Sequence, residues 1–132
     1  MREIALDTQA ATAVAILEDG RVTGRAHNDS VRHHAESITP LVRDALAAAG
    51  LPPVLAEAGI DRILVGTGPA PFTGLRSGLV SARVLARVAG VPTYGVCSLD
   101  VIARQGLDLL ARDMRVYAIA DARRRELYWG SY

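Results

Sequence analysis

The sequence has little cysteine, no long apolar stretch and no excess of charge of one sign. Cys97 is its single cysteine, so no disulfide can form within the chain and a reducing, cytoplasmic location fits best. No apolar run reaches the roughly 18 residues that a membrane-spanning helix needs, and residues 1–7 lead into a strand, not a signal peptide. A formal net charge of +1 disfavours tight nucleic-acid binding by this chain alone.

The chain is 132 residues long, half of them hydrophobic, which leaves room for one compact core and hardly for two. Apolar runs at 3–7, 12–17 and 22–27 predict three strands. The last two runs are joined by Asp19-Gly20, a strong hairpin signal because glycine tolerates a positive φ. The chain is therefore expected to open with an antiparallel meander.

Helical patterns follow this meander. Apolar residues recur at three- and four-residue steps between His34 and Ala49, after Asn28, Asp29 and Ser30, which could cap a helix. Because of Pro40, this helix should either begin late, near Ser37, or be kinked. Further elements are predicted in this order: a strand at 60–66, a helix at 73–89, a strand at 91–97, a helix from a capping Ser98 to about Arg112, and strands at 114–120 and 126–132. The pattern predicts an α/β fold, a mixed sheet with an antiparallel three-strand start and packed helices.

The turn Gly66-Thr-Gly-Pro-Ala-Pro-Phe-Thr-Gly74 is the first candidate for chemistry. A strand–turn–helix unit brings backbone N–H groups to one point, which suits a phosphate. No Gly-Lys-Ser/Thr follows, so the turn is not a Walker A loop, and Pro71 stands where the dinucleotide fingerprint has its third glycine. The alternative is that the glycines allow a tight bend and close packing of a helix on a sheet.

Asp7 and Thr8, at the end of the first strand, are the second candidate. Several phosphotransferase folds hold a metal–nucleotide complex beside an acid in such a position. The alternative is an Asx turn that closes the strand.

Histidine and cysteine offer weaker candidates. His33, His34 and Glu36 lack the i, i+4 spacing of zinc-binding helices, so we interpret them as a polar helix start. Cys97 has no histidine nearby in sequence that could act as its base, and we interpret it as a buried cysteine at a strand end.

Small residues recur every fourth position along the second predicted helix, beside a basic row. The small row is Gly74, Gly78, Ala82, Ala86 and Gly90, and the basic row is Arg76, Arg83 and Arg87. Interior glycines cost roughly 1 kcal/mol each relative to alanine, so the row needs a packing reason. One interpretation packs it on the chain's own sheet with the arginines in solvent; the other makes it the seat of a partner helix. The first helix has a comparable side at Ala45, Ala48 and Ala49.

Four segments together resemble the TsaB (YeaZ) family of accessory subunits in bacterial synthesis of threonylcarbamoyladenosine in tRNA. The similarity runs in order over essentially the whole chain. The segments are Ile4-Ala-Leu-Asp-Thr8, Gly66-x-Gly-Pro-x-x-Phe-Thr-Gly-Leu-Arg-Ser-Gly78, Gly95-Val-Cys-Ser-Leu99 and Asp121-Ala-Arg-x-x-Glu-Leu-Tyr-Trp129.

The resemblance implies an actin-like (sugar kinase/Hsp70/actin) fold. Residues 1–112 would form its N-terminal lobe, and residues 113–132 would begin a second, incomplete lobe as a hairpin. The resemblance also implies a TsaD-type catalytic paralogue and a TsaE-type ATPase as partners, a homodimer in isolation, and contact with tRNA only through the complex. ATP or ADP and a metal are expected on those partners or at the shared interface, with none bound by this chain alone.

Alignment with the catalytic paralogue bears on catalysis. Its metal-binding His-x-x-x-His falls on Ser98 and Ile102 of this chain, and isoleucine cannot coordinate a metal. The older metallopeptidase or glycoprotease label for the family fails on the same residues. The chain departs from the family at Gln9 and Ala10 after the first strand. It also departs at three positions of the turn: Thr67, Ala70 and Pro71.

The sequence thus predicts a non-catalytic scaffold subunit of the tRNA-modifying transferase. No residue is assigned to catalysis or to a metal, and the candidates for a nucleotide contact are Asp7, Thr8 and Gly68. The competing hypothesis is an actin-fold ATPase or phosphotransferase that uses Asp7 and Thr8. The predicted interface residues are Ser37, Leu41, Ala45, Ala48, Gly74, Gly78, Ala82, Arg83 and Ala86.

Overall fold

A computed structural model of the chain describes residues 1–29, 34–111 and 113–132. Ser30 as a possible cap, His33 and Arg112 lie outside the described residues, as does the side chain of His34.

Three strands open the chain as an antiparallel meander: β1 (Arg2–Asp7), β2 (Thr12–Glu18) and β3 (Arg21–Asn28). Asp19 and Gly20 join β2 to β3 with φ values of 50° and 77°. Positive φ at both central residues is the property for which Asp-Gly is favoured in two-residue hairpins. The predicted meander is confirmed.

The remaining elements alternate until the last hairpin. They are α1 (His34–Ala48), a 3₁₀ turn (Leu55–Glu57), β4 (Arg62–Gly66), α2 (Phe72–Ala89), β5 (Thr93–Val96), α3 (Ser98–Leu109), β6 (Tyr117–Arg123) and β7 (Glu126–Ser131). Five strands form one sheet in the order β3-β2-β1-β4-β5, in which β1, β4 and β5 run parallel. Strands β6 and β7 pair separately. The predicted mixed sheet is confirmed.

The main core lies between this sheet and helices α1 and α2. Ile4, Ile16 and Ile63 from the strands are fully buried with Leu46 of α1. Helix α1 contacts β2 and β3, α2 contacts β4, and the two helices contact each other, so both cover one face of the sheet. Close approach here requires Gly24, because a Cβ on it would lie 2.3 Å from the carbonyl oxygen of Ala45.

A buried ion pair links two parallel strands of the sheet. Glu3 on β1 is 4% exposed and lies opposite Arg62 on β4. The Arg62 Nε donates to Glu3 Oε1 at 2.5 Å, and the guanidinium also lies 5.7 Å from the ring centre of Tyr94. A carboxylate this buried needs such a partner, because desolvation disfavours its charged form.

The structure decides two points about helix starts. Helix α1 begins at His34 and carries Pro40 within it, so of the two alternatives the late start near Ser37 does not occur, and the kink stays a prediction. Helix α3 begins with Ser98, and the residue in the N-cap position is Cys97. Ser98 does not cap the helix because its hydroxyl donates to Asp7, and the helix ends at Leu109, before Arg112.

The last hairpin packs on α3, not on the five-stranded sheet. Leu99 and Ala103 of α3 form a second buried cluster with Ala118 of β6, and Tyr128 of β7 packs against it. The division into a lobe at 1–112 and a hairpin that begins a second lobe stays a prediction. None of the helices described is long and apolar enough to cross a membrane.

Candidate functional site

Asp7, Gly66 and Ser98 meet where the parallel strands β1, β4 and β5 end. The Ser98 hydroxyl donates to Asp7 Oδ2 at 2.7 Å, and the backbone N–H of Gln9 donates to Asp7 Oδ1 at 2.7 Å. A Cβ on Gly66 would lie 1.9 Å from Asp7 Oδ2, so the carboxylate occupies the space above that glycine. Both carboxylate oxygens of Asp7 are therefore bonded within the chain, and the contact with Gln9 is an Asx turn.

Thr8 ties the first turn of α2 to the end of β1. Its side chain is 2% exposed, and its hydroxyl donates to the carbonyl oxygen of Gly74 at 2.8 Å. A Cβ on Gly78 would lie 2.3 Å from Thr8 Oγ1, so the helix can only approach so closely with glycine there. Thr8 is thus a packing residue, and its hydroxyl proton is engaged in a hydrogen bond within the chain.

The Gly66–Gly74 turn is bonded to both neighbouring strand ends. The carbonyl oxygen of Gly68, which is buried, accepts the backbone N–H of Ser98 at 2.7 Å. The Gln9 side-chain amide donates to the Pro69 carbonyl oxygen at 2.9 Å, and Thr67 Oγ1 donates to Val96 O at 3.1 Å. These contacts fit the interpretation of a tight bend that allows close helix–sheet packing.

The chemistry available at the strand ends is limited. Ser98 donates to a carboxylate, and among the side chains that the structure describes no histidine contacts it to activate it as a nucleophile. Ile102, the second position aligned with the paralogue's histidine pair, is 37% exposed on α3. Within residues 1–29, 34–111 and 113–132, no three His, Cys, Asp or Glu side chains cluster closely enough to hold a metal ion.

The predicted interface residues are mostly buried inside this chain. Ser37 is half-buried, and only Ala48 and Arg83 are exposed, whereas the buried ones are Leu41, Ala45, Gly74, Gly78, Ala82 and Ala86. The small-residue row of α2 faces the chain's own sheet and Thr8. The interpretation of that row as an open seat for a partner helix is corrected accordingly, because Gly74, Gly78, Ala82 and Ala86 are buried within this chain and Thr8 fills the space beside Gly78.

The outward side of α2 carries an apolar row that sequence reasoning missed. Val80, Val84 and Val88 are spaced four residues apart and are 53%, 56% and 62% exposed. Arg83 and Arg87 are exposed beside them. The sequence does display this valine row, because its residues follow the same four-residue spacing as the small residues and both rows run along one helix. Any partner that contacts α2 meets the valines and arginines.

The N-terminal turn of α3 is bonded to the end of β7. The Tyr132 hydroxyl donates to Asp100 Oδ1 at 2.5 Å, and this hydrogen bond raises the pKa of Tyr132 to about 12. On the other side of the hairpin, the exposed rings of Tyr117 and Trp129 lie 6.5 Å apart between centroids. The hairpin therefore buries one face on α3 and leaves an aromatic face open.

Comparison with known proteins gives a family and two solved relatives. Residues 24–132 match the family model described as TsaD, tRNA N6-adenosine threonylcarbamoyltransferase. The chain is 42% identical over 133 residues to an uncharacterized protein of Mycobacterium tuberculosis, covering 98% of this chain and 58% of that protein. It is 38% identical to the tRNA threonylcarbamoyladenosine biosynthesis protein TsaB of Escherichia coli, covering 100% of this chain and 55% of that protein.

Among solved structures, the chain is similar to YeaZ from Pseudomonas aeruginosa. The TM-score is 0.81 at 36% identity, and the match covers 99% of this chain and 59% of that one. A second solved chain, described as similar to peptidase YeaZ, has a TM-score of 0.82. The chain thus spans somewhat more than half the length of these relatives. The resemblance to the TsaB (YeaZ) family and the actin-like fold, both predicted from the motifs, are confirmed.

Proposed function

Since this chain belongs to the TsaD family and is similar to TsaB (YeaZ) proteins over nearly its whole length, we propose that it works as an accessory subunit in the synthesis of threonylcarbamoyladenosine in tRNA. In this role it supports a TsaD-type transferase and performs no chemical step itself. The tRNA and a TsaE-type ATPase engage it through the assembled complex. In isolation it forms a homodimer.

The observation that carries the proposal is the internally bonded cluster at the strand ends. Asp7 accepts from Ser98 and Gln9, and Thr8 donates to Gly74, so the polar groups that the competing ATPase hypothesis would use are engaged within the fold. Ser98 and Ile102 stand where the catalytic paralogue has its metal ligands. Nucleotide and metal accordingly belong to the partner subunits or to the interface they share with this chain.

Calorimetry tests the non-catalytic part of this proposal. We expect the full-length protein to bind magnesium ATP weakly, with no release of phosphate above the rate of a blank, whereas the complex with the transferase and the ATPase turns over. Tight binding of magnesium ATP and turnover by the isolated protein, both lost in Asp7→Asn, would contradict the accessory role. That outcome would favour the ATPase or phosphotransferase hypothesis that uses Asp7 and Thr8.

We propose further that the transferase docks on α1 and on the outward side of α2. Val80, Val84 and Val88 supply an apolar strip, and Arg83 and Arg87 supply charge beside it. Apolar rows of this kind on a helix suit a helix–helix contact, in which buried apolar area provides most of the free energy.

A charge placed within the valine row tests the docking surface. Val84→Arg should weaken co-elution with the transferase by at least about tenfold, because a desolvated, unpaired charge costs more than 1.4 kcal/mol. Val101→Arg is the matched control, since Val101 is 51% exposed on α3. Ala82→Arg is unsuitable, because Ala82 is fully buried and an arginine there would destabilise the chain itself through overpacking and an unpaired buried charge. Co-elution of the Val84→Arg protein at the wild-type level would contradict the surface.

A further inference from the structure

The turn between β6 and β7 consists of three consecutive arginines in an uncommon backbone conformation. Arg123, Arg124 and Arg125 have φ values of 62°, 52° and 66°. All three side chains are exposed. Arg124 and Arg125 are the two central residues of the hairpin turn, and Arg123 lies at a bulge where the register with β7 shifts. We call these three residues the arginine turn.

This backbone conformation does not favour arginine. Positive φ at both central residues is the condition under which hairpins select Asn-Gly, because Cβ of other residues crowds the backbone there. The first hairpin of the chain follows that rule with Asp19 and Gly20. Residues kept in a sterically unfavourable conformation concentrate at functional sites, so the arginine turn has a reason beyond local folding.

The charges of the arginine turn have no counter-ion in the described part of the chain. None of the three guanidinium groups forms an ion pair there, although Arg2 and Arg62 do. Asp121 is engaged through Oδ1, which accepts the backbone N–H of Arg123 at 2.7 Å. Three exposed guanidinium groups thus stand together on the turn, between the exposed carboxylates of Asp121 and Glu126, and form no ion pair with either.

The arginine turn lies at the far end of the hairpin from Val116 and Tyr132, whose backbones exchange two hydrogen bonds. Val116, Ala120 and Tyr128 pack on the cluster formed by Leu99, Ala103 and Ala118, which fixes one face of the hairpin on α3. The turn itself stays exposed to solvent.

We propose that the arginine turn binds the phosphate backbone of RNA. Guanidinium groups donate in a planar fork that matches phosphate oxygens, and three of them on one exposed hairpin turn suit a chain of regularly spaced anions. The inference rests on the proposed function, which brings a tRNA to the complex. It refines the expectation from net charge: the chain alone binds RNA weakly, and the turn adds a few phosphate contacts within the assembly.

The salt dependence of tRNA binding tests the proposal. Affinity for an unmodified tRNA transcript is measured by anisotropy for the full-length protein and for its complex with the transferase, from low to moderate salt. Each phosphate contact contributes about 0.7 to 0.9 to the slope of log affinity against log salt. The combined substitution Arg123→Gln/Arg124→Gln/Arg125→Gln should lower that slope by about 2 and weaken binding by roughly tenfold.

Two further variants separate charge from structure. Arg21→Gln/Arg25→Gln/Arg115→Gln removes the same charge from exposed positions outside the arginine turn and should leave the slope near the wild-type value. Arg124→Asn/Arg125→Gly should raise the melting temperature, because it introduces the residues that the turn conformation favours. The same variant should bind tRNA less tightly, which misfolding cannot explain in a more stable protein.

Three results would overturn the proposal. The first is an unchanged slope in the triple glutamine variant, in both the free protein and the complex. The second is an equal loss of slope in the triple control. The third is weaker binding to the transferase with tRNA affinity unchanged, which would show that the turn recognises an acidic protein surface. Failure of the accessory role itself would appear separately, as no co-elution of the wild-type protein with the transferase.

Discussion

At the ends of the parallel strands, Asp7 accepts the backbone N–H of the residue two positions on and also a hydroxyl from Ser98. At the arginine turn, Asp121 makes the same kind of backbone contact, with Arg123. The first carboxylate lies among buried neighbours; the second is exposed beside three exposed arginines. The same contact between an aspartate and the backbone thus belongs to a packed strand end in one region and to an exposed, charged turn in the other. Similar sequence features take their role from the surroundings that the fold supplies.

The two regions also differ in how closely other parts of the chain pack against them. Around the strand ends, α2 approaches so closely that Gly78 has no space for a Cβ. On the hairpin, Tyr128 packs on α3 while Trp129, the next residue, is 65% exposed. Substitutions near the strand ends should therefore be costly, and matching substitutions at exposed positions should be tolerated.

The largest effect is expected from Gly78→Ala. The added Cβ would meet Thr8 Oγ1, which is buried and hydrogen-bonded to Gly74, so the helix has to move. We expect a loss of about 3 kcal/mol in the free energy of unfolding, at the upper end for overpacking. Urea unfolding measures it, with Val80→Ala on the exposed side of α2 as the control at under about 0.5 kcal/mol. Equal losses in the two variants would contradict the packing described.

The next largest effect concerns the two ion pairs of contrasting burial. Arg62→Ala should cost about 2 kcal/mol, because it leaves the carboxylate of Glu3 buried without its partner. Arg104→Ala breaks the exposed pair with Asp108 on α3 and should cost at most about 0.5 kcal/mol. Both values come from the same unfolding measurement. A larger loss in the Arg104→Ala chain would reverse the comparison.

A smaller difference is expected between the two aspartates. Asp7→Ala leaves the Ser98 hydroxyl and the Gln9 N–H without their acceptor and should cost roughly 1.5 kcal/mol. Asp121→Ala leaves one exposed N–H that water can satisfy, so its cost should stay below about 0.5 kcal/mol. Thermal unfolding of the two variants side by side checks this. If Asp7→Ala were as stable as the wild type, its role in holding the strand ends together would be refuted.

The smallest effect should appear at Tyr132. Its bond to Asp100 raises the pKa from the ordinary 10.0 to about 12. A pKa that is higher in the folded chain means that the bond stabilises the fold below pH 10 and that this contribution is lost as the pH rises through about 12. In an ultraviolet absorbance titration, Asp100→Asn should return one of the four tyrosines to an ordinary pKa. No change in that titration would show that the bond does not form in solution.

Local patterns predicted the elements well, and contacts distant in sequence account for the errors. The Asp19-Gly20 turn and the apolar periods each depend on neighbouring residues, which the sequence displays directly. The role of Ser98 depends on Asp7, 91 positions earlier, so a serine that resembles a helix cap forms a different bond. Periodicity showed that α2 has a side of small residues, but it could not show which surface covers that side.

The prediction of the site was incomplete for the same reason, because the site too depends on contacts between residues that are distant in sequence. Asp7, Thr8 and Gly68 were candidates for a nucleotide contact, which stays a prediction. The hydrogen bonds of Asp7 and Thr8 within the chain join residues that are distant in sequence, and no spacing reveals them. The last hairpin was expected to turn over residues 121–125, and the actual turn is tighter because Arg124 and Arg125 adopt positive φ. Arginine does not favour that conformation, so the residue types did not predict it.

The bond between Asp7 and Ser98 has a consequence for synthesis on the ribosome. Asp7 leaves the exit tunnel well before its partner, which follows 91 residues later, and β1 also needs β4 for its parallel neighbour. At translation rates of about 5–20 residues per second, the N-terminal strand waits several seconds for these contacts. During that interval the meander β1–β2–β3 can form by itself, while its parallel edge stays open to other nascent chains or chaperones.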